Sequence, residues 1–153
     1  MPTIEDVYFK FGFASEAAQL LEFELGTMLF RSGAIEAGLF ENPDSNKAGD
    51  LLKLVNRKTL GQLIQSVSAA DESLEELQET LELALNERNR LAHSFFREHN
   101  HRRNSTEGCV IMLKDLESVH DAILEAYKAV MRIQGIDLDT MSLDGMPTEH
   151  LPL

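Results

Sequence analysis

The chain has 153 residues and a formal net charge of −12: enough length for one domain with its own apolar core, and the wrong sign for a general nucleic-acid coat. The hydrophobic share of 43% is that of an ordinary globular protein, and the single cysteine, Cys109, has no partner for an internal disulfide. With no run of about 18 apolar residues and no basic-then-apolar leader over residues 1–10, a cytoplasmic protein without membrane contact is expected.

Glycine and proline are scarce and fall between apolar stretches, which predicts helices joined by short loops. The first long helix is expected from Ser15, as N-cap, to about Ile35, with Ala18, Leu21, Leu25 and Met28 or Leu29 on one face. Residues 39–50 read as a loop, with Asn42-Pro43-Asp44-Ser45-Asn46 as turn chemistry. Leu51, Leu52, Leu54 and Val55 suggest a short helix, and Thr59 can cap another that carries Leu60, Leu63, Ile64 and Val67.

A third major helix is expected near Ser73, where Ser73 and Glu76 fit a capping box and the acidic first turn suits the helix dipole. Its spacing carries it to about Phe96. The polar stretch His99–Gly108 reads as a loop. Cys109–Leu113 has the composition of a short strand, but a lone strand has no partner, so a helix start is preferred. The last helix aligns Leu113, Leu116, His120, Ile123, Tyr127 and Val130. The expected fold class is all-α, an antiparallel bundle of four to five helices over residues 1–134, with 135–153 as a loosely ordered tail.

Charge is unevenly spread. Asp71–Glu87 holds seven acidic residues and no Lys or Arg, whereas Arg88–Arg103 holds five Arg against one Glu, with His93, His99 and His101. The sign changes where the apolar stripe of the third helix is interrupted. Leu74, Leu77, Leu81 and Ala84 or Leu85 lead to position 88, then to Leu91 or Ala92 and Phe95; position 88 is Arg. An arginine on such a stripe needs hydrogen-bond partners or an open cleft, because a buried unpaired charge is costly.

Asn89 and His93, four apart, project from neighbouring points of the same helix. At about 100° per residue, Arg88 and His93 stand roughly 140° apart, a gap that a long side chain can narrow. An imidazole exchanges protons near neutral pH. A guanidinium holds phosphate oxygens in a fork. An amide can orient either group. Such a set suits attack by an RNA 2′-hydroxyl on the adjacent phosphate, with the arginine stabilising charge on phosphorus and no metal or cofactor needed.

The segment Arg88-Asn89-Arg90-Leu91-Ala92-His93 resembles the HEPN superfamily (higher eukaryotes and prokaryotes nucleotide-binding domains), small helical bundles of which many carry Arg, an adjacent polar residue and a His late in the bundle. The element order is also similar. The resemblance spans roughly Ser15–Ile133. It implies a metal-independent endoribonuclease, often a toxin of a toxin–antitoxin pair or a phage-defence protein, and a homodimer whose two motifs face one cleft. It also implies that Arg88 and His93 form the catalytic pair and that Asn89 is the polar helper.

Arg97, Arg102 and Arg103, with His99 among them, would then form a substrate-binding rim that tracks RNA phosphates; a solvated loop is the simpler reading. Arg88 has an equally plain alternative as a structural residue paired with Glu22 or Glu24, and His93 as a helix-end histidine favoured by the dipole. His120 fits a satisfied core histidine. His99 and His101 lack a third ligand at zinc spacing, so no metal site is expected. The acidic run reads as an exposed helix face, with docking of a basic antitoxin as a second use. The net charge keeps open a non-catalytic dimeric module that binds nucleotide or a partner protein. No basic recognition helix supports a DNA-binding regulator.

Overall fold

In the computed structural model, which describes residues 1–149, the first helix starts at Thr3 and not at Ser15. The Thr3 hydroxyl accepts the Asp6 amide, and the Asp6 carboxylate accepts the Thr3 amide; this backbone bond, above all, holds the Asp6 carboxyl below the usual carboxylate range. Ser15 lies inside α1 (Ile4–Glu36), where its hydroxyl donates to the Phe11 carbonyl. The early turns carry Val7, Tyr8, Phe9, Phe11 and Phe13 on more than one face. A one-sided apolar stripe, the sign of an amphipathic helix, is therefore absent where the helix begins.

The segment expected as a loop over 39–50 contains the start of α2 (Ser45–Asn56), capped by Asp44, whose side chain accepts the Asn46 and Lys47 amides. Thr59 caps α3 (Leu60–Ala70) in a reciprocal box with Gln62. The next cap is Asp71 and not Ser73: Asp71 accepts the Ser73 amide and opens a 3-10 turn, Glu72–Leu77, before α4 (Gln78–His93). The short carboxylate side chain two residues ahead competes better for that amide than a Ser–Glu pair further in. The chain breaks at Ser94, short of the expected Phe96. It resumes as α5 (Phe95–His99), a second 3-10 turn (Asn100–Asn104) and α6 (Thr106–Ile133), capped by Ser105. The stretch read as a loop from His99 to Gly108 is thus mostly helical turn, and Cys109–Leu113 is helix.

Direction alternates along the chain. Gly33 of α1 approaches Leu51 of α2 while Gly26 approaches Val55, so α2 runs back along α1. A Cβ at Gly33 would lie 2.9 Å from a Leu51 methyl, which makes glycine the residue that allows this close approach. Arg88 of α4 meets Glu22, and Phe95 packs near Phe11, so α4 also descends along α1. Lys10 meets His120 and Glu24 meets Gln134, so the first and last helices lie side by side and parallel. An odd number of alternating main helices leaves its two ends pointing the same way.

The core sits between α1, α3, α4 and α6. Leu21, Leu25, Leu60, Leu74, Leu81, Phe95, Met112, Leu116 and Ile123 are fully buried there, each worth roughly 1.5–3 kcal/mol relative to exposure. The α6 stripe matches its expected spacing, with Leu116, Ile123 and Val130 buried and Leu113, His120 and Tyr127 half-buried at its margin. Burial pushes the Tyr127 hydroxyl up from its ordinary value. The glutamates of the acidic run from Glu72 to Glu82 are exposed. Beyond Gly135, Asp139 pairs with Lys128 at 2.7 Å; residues 150–153 of the expected tail lie outside the described residues. Among the described residues no helix is long and apolar enough to cross a membrane.

Candidate functional site

On α4 the buried positions Leu81, Ala84 and Leu91 bracket Arg88, which would point a cation into the core. Glu22 of α1 meets it instead. Arg88 Nη2 lies 2.8 Å from Glu22 Oε1, and Arg88 Nη1 donates to Asn89 Oδ1 at 3.1 Å. The Arg88 and Glu22 side chains are 27% and 31% exposed, so the pair lies at the protein surface and is not sealed in. A guanidinium has more donors than these two contacts use.

His93, the last residue of α4, is exposed, and among the described residues it bonds to neither Arg88 nor Asn89. The structure therefore joins Arg88 to Asn89 and leaves His93 apart. The helical wheel gives the reason: Arg88 turns towards α1 with the core stripe, and His93 points away from it.

A second cluster sits on the opposite flank of α4. Arg90 donates to both Asp115 oxygens, at 2.6 and 2.8 Å, and reaches Glu87 at 2.9 Å and Glu98 at 3.1 Å. Bidentate pairing of this kind is among the stronger charge-assisted contacts. Arg90, and after it His99, holds the Asp115 carboxyl below the usual carboxylate range, while Ser94 and then Arg90 do the same for Glu98.

His99 does not stand on a solvent-facing rim. Its side chain is 4% exposed, Nε2 lies 2.7 Å from Asp115 Oδ2, and Arg102 Nη1 lies 3.0 Å from Nδ1. Arginine only donates, so Nδ1 accepts and Nε2 carries the proton shared with Asp115. With both nitrogens engaged and the ring against Phe95, His99 is a structural strut rather than a ligand contact. His101, two residues on, is exposed.

The three arginines of the expected rim fare differently. Arg97 is exposed on α5, Arg102 is tied to His99, and Arg103 donates to the Tyr8 hydroxyl and stacks over its ring, 5.8 Å from the centroid. The turn that carries Arg102 rests on Gly108, where a Cβ would come within 1.9 Å of the Arg102 carbonyl oxygen.

No family model matches the chain, and no curated protein or solved structure matches it.

Sequence reasoning missed Asp115, which sits between Lys114 and Leu116 with nothing in its neighbourhood to mark it. Arg90 had a signal, since Glu87 stands three residues before it on the same helix. His120 is half-buried and takes a 3.2 Å contact from Lys10 Nζ at Nδ1. Burial first, then the Lys10 charge, lowers its pKa from the ordinary histidine value.

Proposed function

We propose that the chain is an endoribonuclease of the HEPN kind, acting as a homodimer, in which Arg88 holds the scissile phosphate, Asn89 orients the guanidinium, and His93 transfers protons. The observation that carries this reading is the surface position of Arg88. It lies on a buried stripe, yet it remains partly open to solvent and is fixed at a defined angle by Glu22 and Asn89. A preoriented cation loses little entropy on meeting an anion.

In this reaction the imidazole takes the 2′-hydroxyl proton, the 2′-oxygen bonds to phosphorus, and the bond from phosphorus to the 5′-oxygen breaks. The proton then passes to the leaving oxygen. The products are a 2′,3′-cyclic phosphate end and a 5′-hydroxyl end, and the guanidinium stabilises the oxygens of the five-coordinate phosphorus. Arg88 and His93 do not meet within one chain, so the second copy is needed to close the cleft with its own motif. Such a cleft suits a toxin held in check by an antitoxin, for which the exposed acidic face of Glu72–Glu82 offers a basic partner a docking surface.

The 2.8 Å pairing of Arg88 with Glu22 also favours a second reading, a non-catalytic helical module in which the pair is purely structural. Incubation of RNA with the purified protein and with His93→Ala, in chelator, separates the two. Cleavage by the wild type alone, leaving cyclic phosphate ends, supports the nuclease. Equal inertness of both proteins leaves the module.

A further inference from the structure

A groove of about 420 Å³ runs between α1, α2 and the start of α3, and one wall of it is Glu22, the partner of Arg88. That volume is in the range of sites that hold small organic ligands. The groove has aromatic walls, Phe23 and Phe30, with Leu52 on the α2 side. Phe23 is 59% exposed, so its ring is open to a ligand in the groove. The groove's polar groups are the Gln19 and Asn56 amides, the Thr27 hydroxyl, the Lys58 ammonium and Glu22.

The charged residues lining the groove are Glu22 and Lys58. Arg88 neutralises Glu22, so Lys58 leaves the groove locally positive on a chain of net charge −12. An apolar aromatic slot with amides at its edge and one cation left over once Arg88 and Glu22 have paired matches a planar heterocycle attached to a phosphate. A fatty chain would use neither Asn56 nor Lys58, and an acidic peptide would leave the aromatic walls uncovered.

Resting on the ribonuclease reading of Arg88, we propose that this groove is a nucleobase subsite: it takes the base adjoining the phosphate that Arg88 holds. The base stacks on Phe23, Asn56 reads its hydrogen-bonding edge, and Lys58 meets the next phosphate. Stacking of a base on an aromatic side chain tolerates different bases, so the amides of Asn56 and Gln19 supply what preference there is.

The test is titration of the intact protein with adenosine 5′-monophosphate and, separately, with ribose 5-phosphate, followed through the backbone amides of Gly26 and Asn56. The nucleotide is expected to move both amides and to bind more tightly than the baseless sugar phosphate. Phe23→Ala is expected to weaken nucleotide binding about tenfold, while Phe9→Ala, at a still more exposed site elsewhere on α1, leaves it unchanged. The inference is overturned if the groove amides stay still at millimolar nucleotide, if ribose 5-phosphate binds as well as the nucleotide, or if Phe23→Ala splits a dimer and leaves nucleotide affinity intact. The two readings fail separately. RNA cleavage by a protein whose groove ignores the nucleotide removes the subsite and keeps the nuclease, whereas a nucleotide seated in the groove of a protein that cleaves nothing does the reverse.

Discussion

Arg90 grips Asp115 with both arms of its guanidinium, and through this contact the end of α4 is fastened to the first third of α6. The same carboxylate holds His99, so one acidic residue on α6 fixes the break at Ser94 and the turn that follows it. Asp115→Asn keeps the shape and removes the charge. The expected cost is about 2 kcal/mol, because a charge-assisted pair is weakened at a site only 26% exposed. Urea unfolding of wild type and variant measures it.

The same residue sets an acid limit. A carboxyl whose folded pKa is depressed contributes stability that is complete above its unfolded value, near about 3.9, and that is lost as pH falls through the lower folded value. Asp115 is depressed by Arg90 and His99. Wild-type stability is therefore expected to fall more steeply than that of Asp115→Asn below about pH 4. Parallel slopes from thermal melts across that range would sink this account.

Glu22 partly neutralises the one cation of the motif that faces α1. If Arg88 holds RNA phosphate, Glu22→Gln keeps an acceptor that orients the guanidinium, removes the competing charge and tightens RNA binding several-fold, while Arg88→Ala abolishes cleavage. If the pair is only structural, Glu22→Gln lowers stability by up to about 1 kcal/mol, as for other part-exposed pairs, and leaves RNA affinity unchanged. Filter binding at fixed salt, together with a melting curve, distinguishes the two.

Gly108 is the point where the Arg102 turn presses on α6. A methyl group there meets a backbone carbonyl at 1.9 Å, and backbone cannot swing aside as a flexible side chain does. Gly108→Ala is expected to cost about 2 kcal/mol or more and to release the His99 ring from Asp115. Faster amide exchange over residues 99–104 checks the local effect, apart from the global loss.

His120 faces Lys10 on α1, with Asp121 and Glu16 acting in the opposite sense. Its folded pKa lies below the ordinary value, so the stability linked to it is complete above about pH 6.5 and declines as pH falls below that. Lys10→Met removes the second cause of the shift and is expected to raise the imidazole pKa towards the ordinary value without reaching it, since burial remains. Titration of the ring protons by NMR reads this directly.

The helical class, the α6 stripe, the Thr59 cap and the interruption of a core stripe at Arg88 were legible in the residues, because each depends on spacing within one helix or on a cap next to it. Helix bounds were less so. The all-round apolar start of α1 hid its true beginning at Thr3, and Asp71 displaced Ser73 as a cap. What the sequence could not decide is which side chains from distant elements meet. Arg90 and Asp115, and the slot between Phe23 and Lys58, unite residues whose separation along the chain carries no local pattern, and of the two partners read for Arg88, Glu22 and Glu24, packing selects Glu22. Only the alternating direction of the helices, with α1 and α6 side by side and parallel, sets those distances. Charge and hydrogen bonding then act on what packing has brought within reach.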